Sequence, residues 1–116
     1  MNPLTIYHNP RCRKSREALQ WLKDHHIPHR IRLYLKEPLS DEELQQLIRK
    51  LQDPVEALIR SNEKVFKEHF KGMELTPESV RYMIVQHPHL MQRPIVATDK
   101  SAIVARPAER IRKLIE

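Results

Sequence analysis

The chain has 116 residues with one cysteine, one glycine and a net charge of +6. Its 40% hydrophobic and 31% charged residues argue against disorder, no apolar run approaches the roughly 20 residues of a membrane span, and Gly72 alone cannot build a glycine-rich nucleotide loop. A lone Cys12 excludes an internal disulfide framework, so a single domain over residues 1–116 in a reducing, cytoplasmic setting is expected, as a monomer and without a membrane partner.

Leu4-Thr5-Ile6-Tyr7 is short, β-prone and followed by Asn9-Pro10, which predicts a strand ending in a turn. A helix follows, with Ala18, Leu19 and Leu22 on one face, Lys23 and Asp24 facing out, and Pro28 closing the segment. Ile31, Leu33 and Leu35 then alternate with Arg32 and Tyr34, which is strand spacing. Strand, helix and strand within about thirty residues imply parallel strands joined by a right-handed crossover.

From residue 40 to about 87 the pattern becomes mainly helical. Ser40-Asp41-Glu42-Glu43 is a capping box ahead of Leu44, Leu47, Ile48 and Leu51 at helical spacing. Asp53-Pro54-Val55-Glu56 repeats that logic, with Asp53 as N-cap, Pro54 at the first helical position, and a short helix running toward Arg60. Asn62 is placed to cap another helix carrying Val65, Phe66 and Phe70. Thr76-Pro77-Glu78-Ser79 starts one more, with Val80, Met83 and Ile84 inward and His87-Pro88 as its stop.

Strands return at Pro94–Ala97 and Ala102–Ala105, separated by Thr98-Asp99-Lys100-Ser101 in a hairpin, and Pro107 opens a last helix with Ile111, Leu114 and Ile115 inward. The expected architecture is therefore α/β: a mixed sheet in the order βαβ, helical insert, ββα, with helices packed on it.

The charge is concentrated near the cysteine. Residues 1–36 hold eight Lys/Arg and two Asp/Glu, leaving thirteen of each in the remainder. Cys12 sits between the first strand and the first helix, in His8-Asn9-Pro10-Arg11-Cys12-Arg13-Lys14-Ser15-Arg16. A helix N-terminus offers unpaired N–H groups and partial positive charge, and four basic side chains together with His8 push the same way, toward a thiolate. An inert buried cysteine would have apolar neighbours, and Cys12 has none in sequence. Cys12-Arg13-Lys14-Ser15 also has the spacing of a C-x-x-C redox motif with serine at the second position. The chain cannot close its own dithiol cycle, so an adduct on Cys12 needs an external thiol such as glutathione or glutaredoxin. Ser15 is placed either to hydrogen-bond the sulfur or to act as a plain helix cap.

Tyr7-His8-Asn9-Pro10-Arg11-Cys12 with Ser15-Arg16, then Leu58-Ile59-Arg60, Gln92-Arg93-Pro94-Ile95-Val96 and Ala105-Arg106-Pro107 together resemble the arsenate reductase family of the glutaredoxin-coupled type. The resemblance covers nearly the whole chain and implies a thioredoxin-like fold with a helical insert. It implies that Cys12 is the nucleophile and that Arg60, Arg93 and Arg106 bind the oxyanion, with glutathione as co-substrate, glutaredoxin as partner and no bound cofactor. It also implies that Pro94 matches the position of the proline that faces the cysteine in thioredoxin-like folds, where that proline is cis. Three arginines make chemical sense for an arsenate dianion, because each provides a planar fork of donors and keeps its charge.

Two other classes fit parts of the pattern. The Spx-type regulators are similar in fold and bind RNA polymerase, usually through a two-cysteine switch that Ser15 interrupts here. A glutathione-dependent thiol transferase would use Cys12 on disulfides. Nucleic-acid binding by the basic segment itself is not expected, since only six aromatics are present and they are scattered. Nor is a metal site expected: His25, His26 and His29, or His87 and His89, have no nearby cysteine, and Pro28 or Pro88 interrupts a regular helical face.

Overall fold

The computed structural model describes residues 3–115. Its centre is a four-stranded mixed sheet of β1 (Leu4–Tyr7), β2 (His29–Arg32), β3 (Ile95–Ala97) and β4 (Ala102–Val104), in the spatial order β2-β1-β3-β4. β1 runs parallel to β2 and antiparallel to β3, which forms a hairpin with β4. Five α-helices surround it: α1 (Arg13–Asp24), α2 (Asp41–Lys50), α3 (Lys64–His69), α4 (Pro77–Gln86) and α5 (Arg112–Ile115).

Strand alternation divides the core into two layers. Leu4, Ile6, Val96 and Ile103 pack on one face with Ala18, Trp21 and Leu22 of α1 and with Ile111. Ile95, Ala97, Ala102 and Val104 turn to the other face, where Leu44, Leu47, Leu58, Phe66, Met83 and Leu90 of the insert cover them. A register slip of one residue would exchange these two sets, so burial on both faces pins the pairing.

Local signals set most helix boundaries. The expected capping box of Ser40 with Glu43 forms at the start of α2, and the structure adds a second, of Thr76 with Ser79, at the expected start of α4. α1 ends before Pro28 is reached. His26 adopts a left-handed φ of 53°, its N–H donates to the Lys23 carbonyl, and the Ile27 N–H donates to that of Leu22.

Four sequence expectations need correction. The second strand stops at Arg32, where Lys36 and Glu37 N–H groups both donate to the Leu33 carbonyl and turn the chain. Ile31 and Leu35 are consequently 48% and 47% exposed while Tyr34 is buried. The physical reason is that β2 is an edge strand, and Arg32 locks the turn by reaching Glu43 as well as the carbonyls of Glu37 and Pro38. Asp53 is not a helix cap: Pro54 takes that position before a short 3-10 turn (Val55–Leu58), and the Asp53 carboxylate is used over long range. Glu63, not Asn62, precedes α3. The last helix begins as a 3-10 turn (Ala108–Ile111), with Pro107 just outside it, and becomes α5 only at Arg112.

The insert is stitched to the sheet. Leu51 bridges Ala102, the Gln52 N–H donates to the Ala102 carbonyl at 2.9 Å, and so the outer edge of β4 is covered. A 3-10 turn at Pro88–Leu90 and a bridge between Ile59 and Met91 bring Arg60 back beside the start of β3. No helix among the described residues is long and apolar enough to cross a membrane.

Candidate active site

Cys12 is the N-cap of α1, with extended backbone (φ −92°, ψ 122°), which sets its side chain against the unpaired N–H groups of the first turn. The loop closes on itself: the Cys12 N–H donates to the Asn9 carbonyl at 2.9 Å and the Arg11 N–H to the Asn9 side-chain oxygen at 3.0 Å. No acidic residue lies in that first turn. Burial pushes the Cys12 thiol up, but the opposing contributions outweigh it. The Ser15 N–H, the Arg93 charge, the Lys14 N–H and the Arg93 guanidinium hold the thiol below its ordinary range.

The structure gives His8 and Ser15 different work from that expected. His8 is buried, and burial followed by the charges of Arg16 and Lys23 lowers its basicity, which works against a cationic His8 helping the thiolate. Its Nδ1 lies 2.6 Å from the Ser15 hydroxyl, which also accepts the Asn9 N–H at 3.0 Å. The Ser15 hydroxyl thus braces the loop, and Ser15 serves the sulfur through its backbone N–H.

The three arginines converge from separate parts of the chain. Arg93 lies one residue short of β3, separated from it by Pro94, to which its peptide bond is cis, and its guanidinium faces the Cys12 sulfur. The Arg93 Nε–H is buried without a hydrogen-bond partner among the described residues. Arg106, also before a cis proline, donates to the Arg93 carbonyl at 3.1 Å. Arg60 donates to the His89 carbonyl at 3.0 Å and pairs with Glu63 at 3.3 Å. Burial, then the neighbouring Arg93 charge, lowers the basicity of Arg60, while Glu63, Tyr34 and Cys12 oppose that. Arginine stays protonated under such pressure, so the site keeps its positive charge.

Tyr34 and Asn9 belong to this constellation and were not singled out from sequence. Burial raises the Tyr34 phenol, and Arg93, Arg60 and the Asn9 side chain pull it down. A buried tyrosine needs a polar partner for its hydroxyl, but which partner is a three-dimensional fact. Asn9 carried the one available signal, its place between the strand end and Pro10. Among the described residues no group of three or more His, Cys, Asp or Glu is arranged to hold a metal ion. The arrangement is instead a nucleophilic sulfur facing a set of fixed guanidinium donors, suited to a tetrahedral oxyanion.

A model of the ArsC family matches residues 7–114. The chain is 36% identical over 110 residues to the arsenate reductase of Escherichia coli, covering 94% of this chain and 78% of that protein. It is 33% identical over 113 residues to the global transcriptional regulator Spx of Bacillus subtilis, covering 97% and 86%. The solved structure of an arsenate reductase from Vibrio cholerae superposes with a TM-score of 0.86 at 34% identity, covering 97% of this chain and 98% of that one. With a transcriptional regulator about as similar as a reductase, the expectation of no connection to nucleic acid does not stand on these relatives.

Proposed function

The chain belongs to the ArsC family and has its thioredoxin-like fold, and on that premise we propose that it is an arsenate reductase acting through Cys12. The observation that carries this reading is a cysteine held toward its thiolate at a helix N-terminus, opposite Arg93, whose buried Nε–H has no partner among the described residues. A desolvated donor without an acceptor costs stability, which an oxyanion in the site would recover.

Arsenate is held by Arg60, Arg93 and Arg106. The Cys12 thiolate attacks arsenic, an S–As bond forms, and one oxygen leaves as water after taking up protons. Reduction to arsenite needs two electrons, and two thiols release two electrons when they become a disulfide. Cys12 is one of them. With no second cysteine in the chain, glutathione supplies the other: its sulfur joins that of Cys12, the electron pair passes to arsenic, and arsenite departs. A second thiol, delivered by glutaredoxin, then reduces the mixed disulfide.

Coupled NADPH oxidation with arsenate, glutathione, glutaredoxin and glutathione reductase tests this. Turnover is expected from the native chain and none above background from Cys12→Ser; equal rates from both would refute the reading. The likeness to Spx favours a second reading, a regulator that acts by binding the transcription machinery. Binding to RNA polymerase that survives Cys12→Ser, in a chain without reductase activity, would favour it.

A further inference from the structure

A groove of about 590 Å³ opens beside the cysteine loop, walled by residues 8–11 on one side and by Leu33, Leu35 and Lys36 on the other. Both walls run into the site. The first leads directly to Cys12 and is tied to it through the Asn9 carbonyl, and the second contains Tyr34, buried against the same loop and the arginines. Small-molecule sites typically occupy about 300–1,000 Å³, so the volume suits a small ligand.

The lining has a definite chemistry. Pro10, Leu33 and Leu35 are apolar, Arg11 and Lys36 are cationic, and no carboxylate lines the groove. Neither Arg11 nor Lys36 makes an ion pair among the described residues, whereas Arg13 and Lys14 both lean on Glu17 and Arg32 is paired with Glu43. The open pocket on the other side of α1 is the opposite: Glu17, Asp24 and Glu109 line it with only Lys14 to balance them. An anion approaching this end of the molecule is therefore drawn to the first groove and repelled by the second.

We infer that this groove is the binding site for the thiol co-substrate, a small peptide thiol with net negative charge of the glutathione class. This rests on the reading that an external thiol completes the Cys12 cycle. Its two carboxylates match the Arg11 and Lys36 cations, its methylenes lie on Pro10, Leu33 and Leu35, and its sulfur enters along the loop that carries Cys12. The leucine exposure left by the early end of β2 thereby acquires a use.

The test separates binding from chemistry. S-methylglutathione, which has no free thiol, is titrated into the isotope-labelled protein without arsenate, and amide shifts are followed by NMR. Shifts concentrated at residues 8–11 and 33–36 are expected, and the double variant Arg11→Glu/Lys36→Glu should weaken the apparent affinity roughly tenfold or more. In steady state the same variant should raise KM for glutathione by a larger factor than KM for arsenate. No binding, shifts centred on the Trp21–Glu109 pocket, unaltered affinity in the double variant, or a response only to a glutaredoxin-type protein would overturn the inference. If the tripeptide binds in the groove but arsenate is not reduced, the groove stands and the arsenate reading falls. If arsenate is reduced and the double variant leaves KM for glutathione unchanged, the reverse holds.

Discussion

Two corners flank the β3–β4 hairpin, one with a single arginine and one with three, and they differ in how completely their charges are satisfied. At the outer edge of β4, Arg110 makes contacts of 2.6 and 3.4 Å with the Asp53 carboxylate and donates to the Val104 carbonyl at 2.7 Å, while the Val104 N–H donates to Asp53 at 2.8 Å. That corner is closed: donors and acceptors match, and the long-range link between residues 53 and 110 ties the insert to the C-terminal segment. At the Cys12 end one carboxylate, Glu63, serves three arginines: it pairs with Arg60, while Arg60 and Arg106 also donate to backbone carbonyls and Arg93 keeps a buried N–H with no partner among the described residues. A carbonyl orients a guanidinium without cancelling its charge, so this corner is rigid yet still cationic. The contrast separates arginines that build the fold from arginines available to a ligand.

The largest expected effect breaks the open corner. Arg93→Ala removes a charge-assisted donor and a neighbour of the sulfur together, and kcat/KM for arsenate should fall about 10²-fold, or roughly 3 kcal/mol, with the far-ultraviolet circular dichroism unchanged. Loss of folding instead would make Arg93 a structural arginine like Arg110. Asp53→Ala attacks the closed corner and leaves the half-buried Arg110 and the Val104 N–H without their acceptor. A loss of about 2–3 kcal/mol in denaturant stability is expected, with activity per folded molecule retained.

The same pair of corners responds to pH in distinguishable ways. Burial pushes Asp53 up, but Arg110 and the Val104 N–H outweigh it and hold its carboxyl below the ordinary carboxylate range. Its folded value is therefore the lower one, so its contribution to stability is present above the unfolded carboxylate value and is lost as pH falls through the folded one. Acid-unfolding curves of the native chain and Asp53→Asn should converge at low pH. For Cys12 the measurable quantity is alkylation rate against pH: the midpoint should lie below that of a free cysteine and move upward in Arg93→Ala. An unmoved midpoint would show that the helix terminus alone sets the thiolate. The smallest effect is expected on the exposed face of the edge strand, where Ile31→Thr should change stability by no more than about 0.5 kcal/mol.

Much of this frame is legible in the sequence because its signals are local. A capping box, a proline-ended strand and a four-residue hairpin turn each act within a few residues, and each forms as the chemistry predicts. What escapes is decided over distance. Asp53 looks like an N-cap until a β4 N–H and Arg110, far along the chain, compete for its carboxylate. Tyr34 looks like the polar side of a strand until an edge position ends that strand. The candidate site divides similarly: Cys12 at a helix start is readable from its neighbours, and the arginines from the family resemblance. The lowered basicity of His8 and the bracing role of the Ser15 hydroxyl depend on a burial that no spacing announces.

The covering of β4 by Leu51 and Gln52 has a consequence for the behaviour of many molecules together. A sheet edge with free N–H and C=O groups is a template for a strand from another chain, and one of the two edges is already occupied from within. The remaining edge, β2, is four residues long and reads His29-Arg30-Ile31-Arg32, so a second copy would have to lay arginine beside arginine to extend the sheet. Like charges at close spacing oppose that pairing, and the exposed isoleucine between them is guarded against aggregation by its own neighbours.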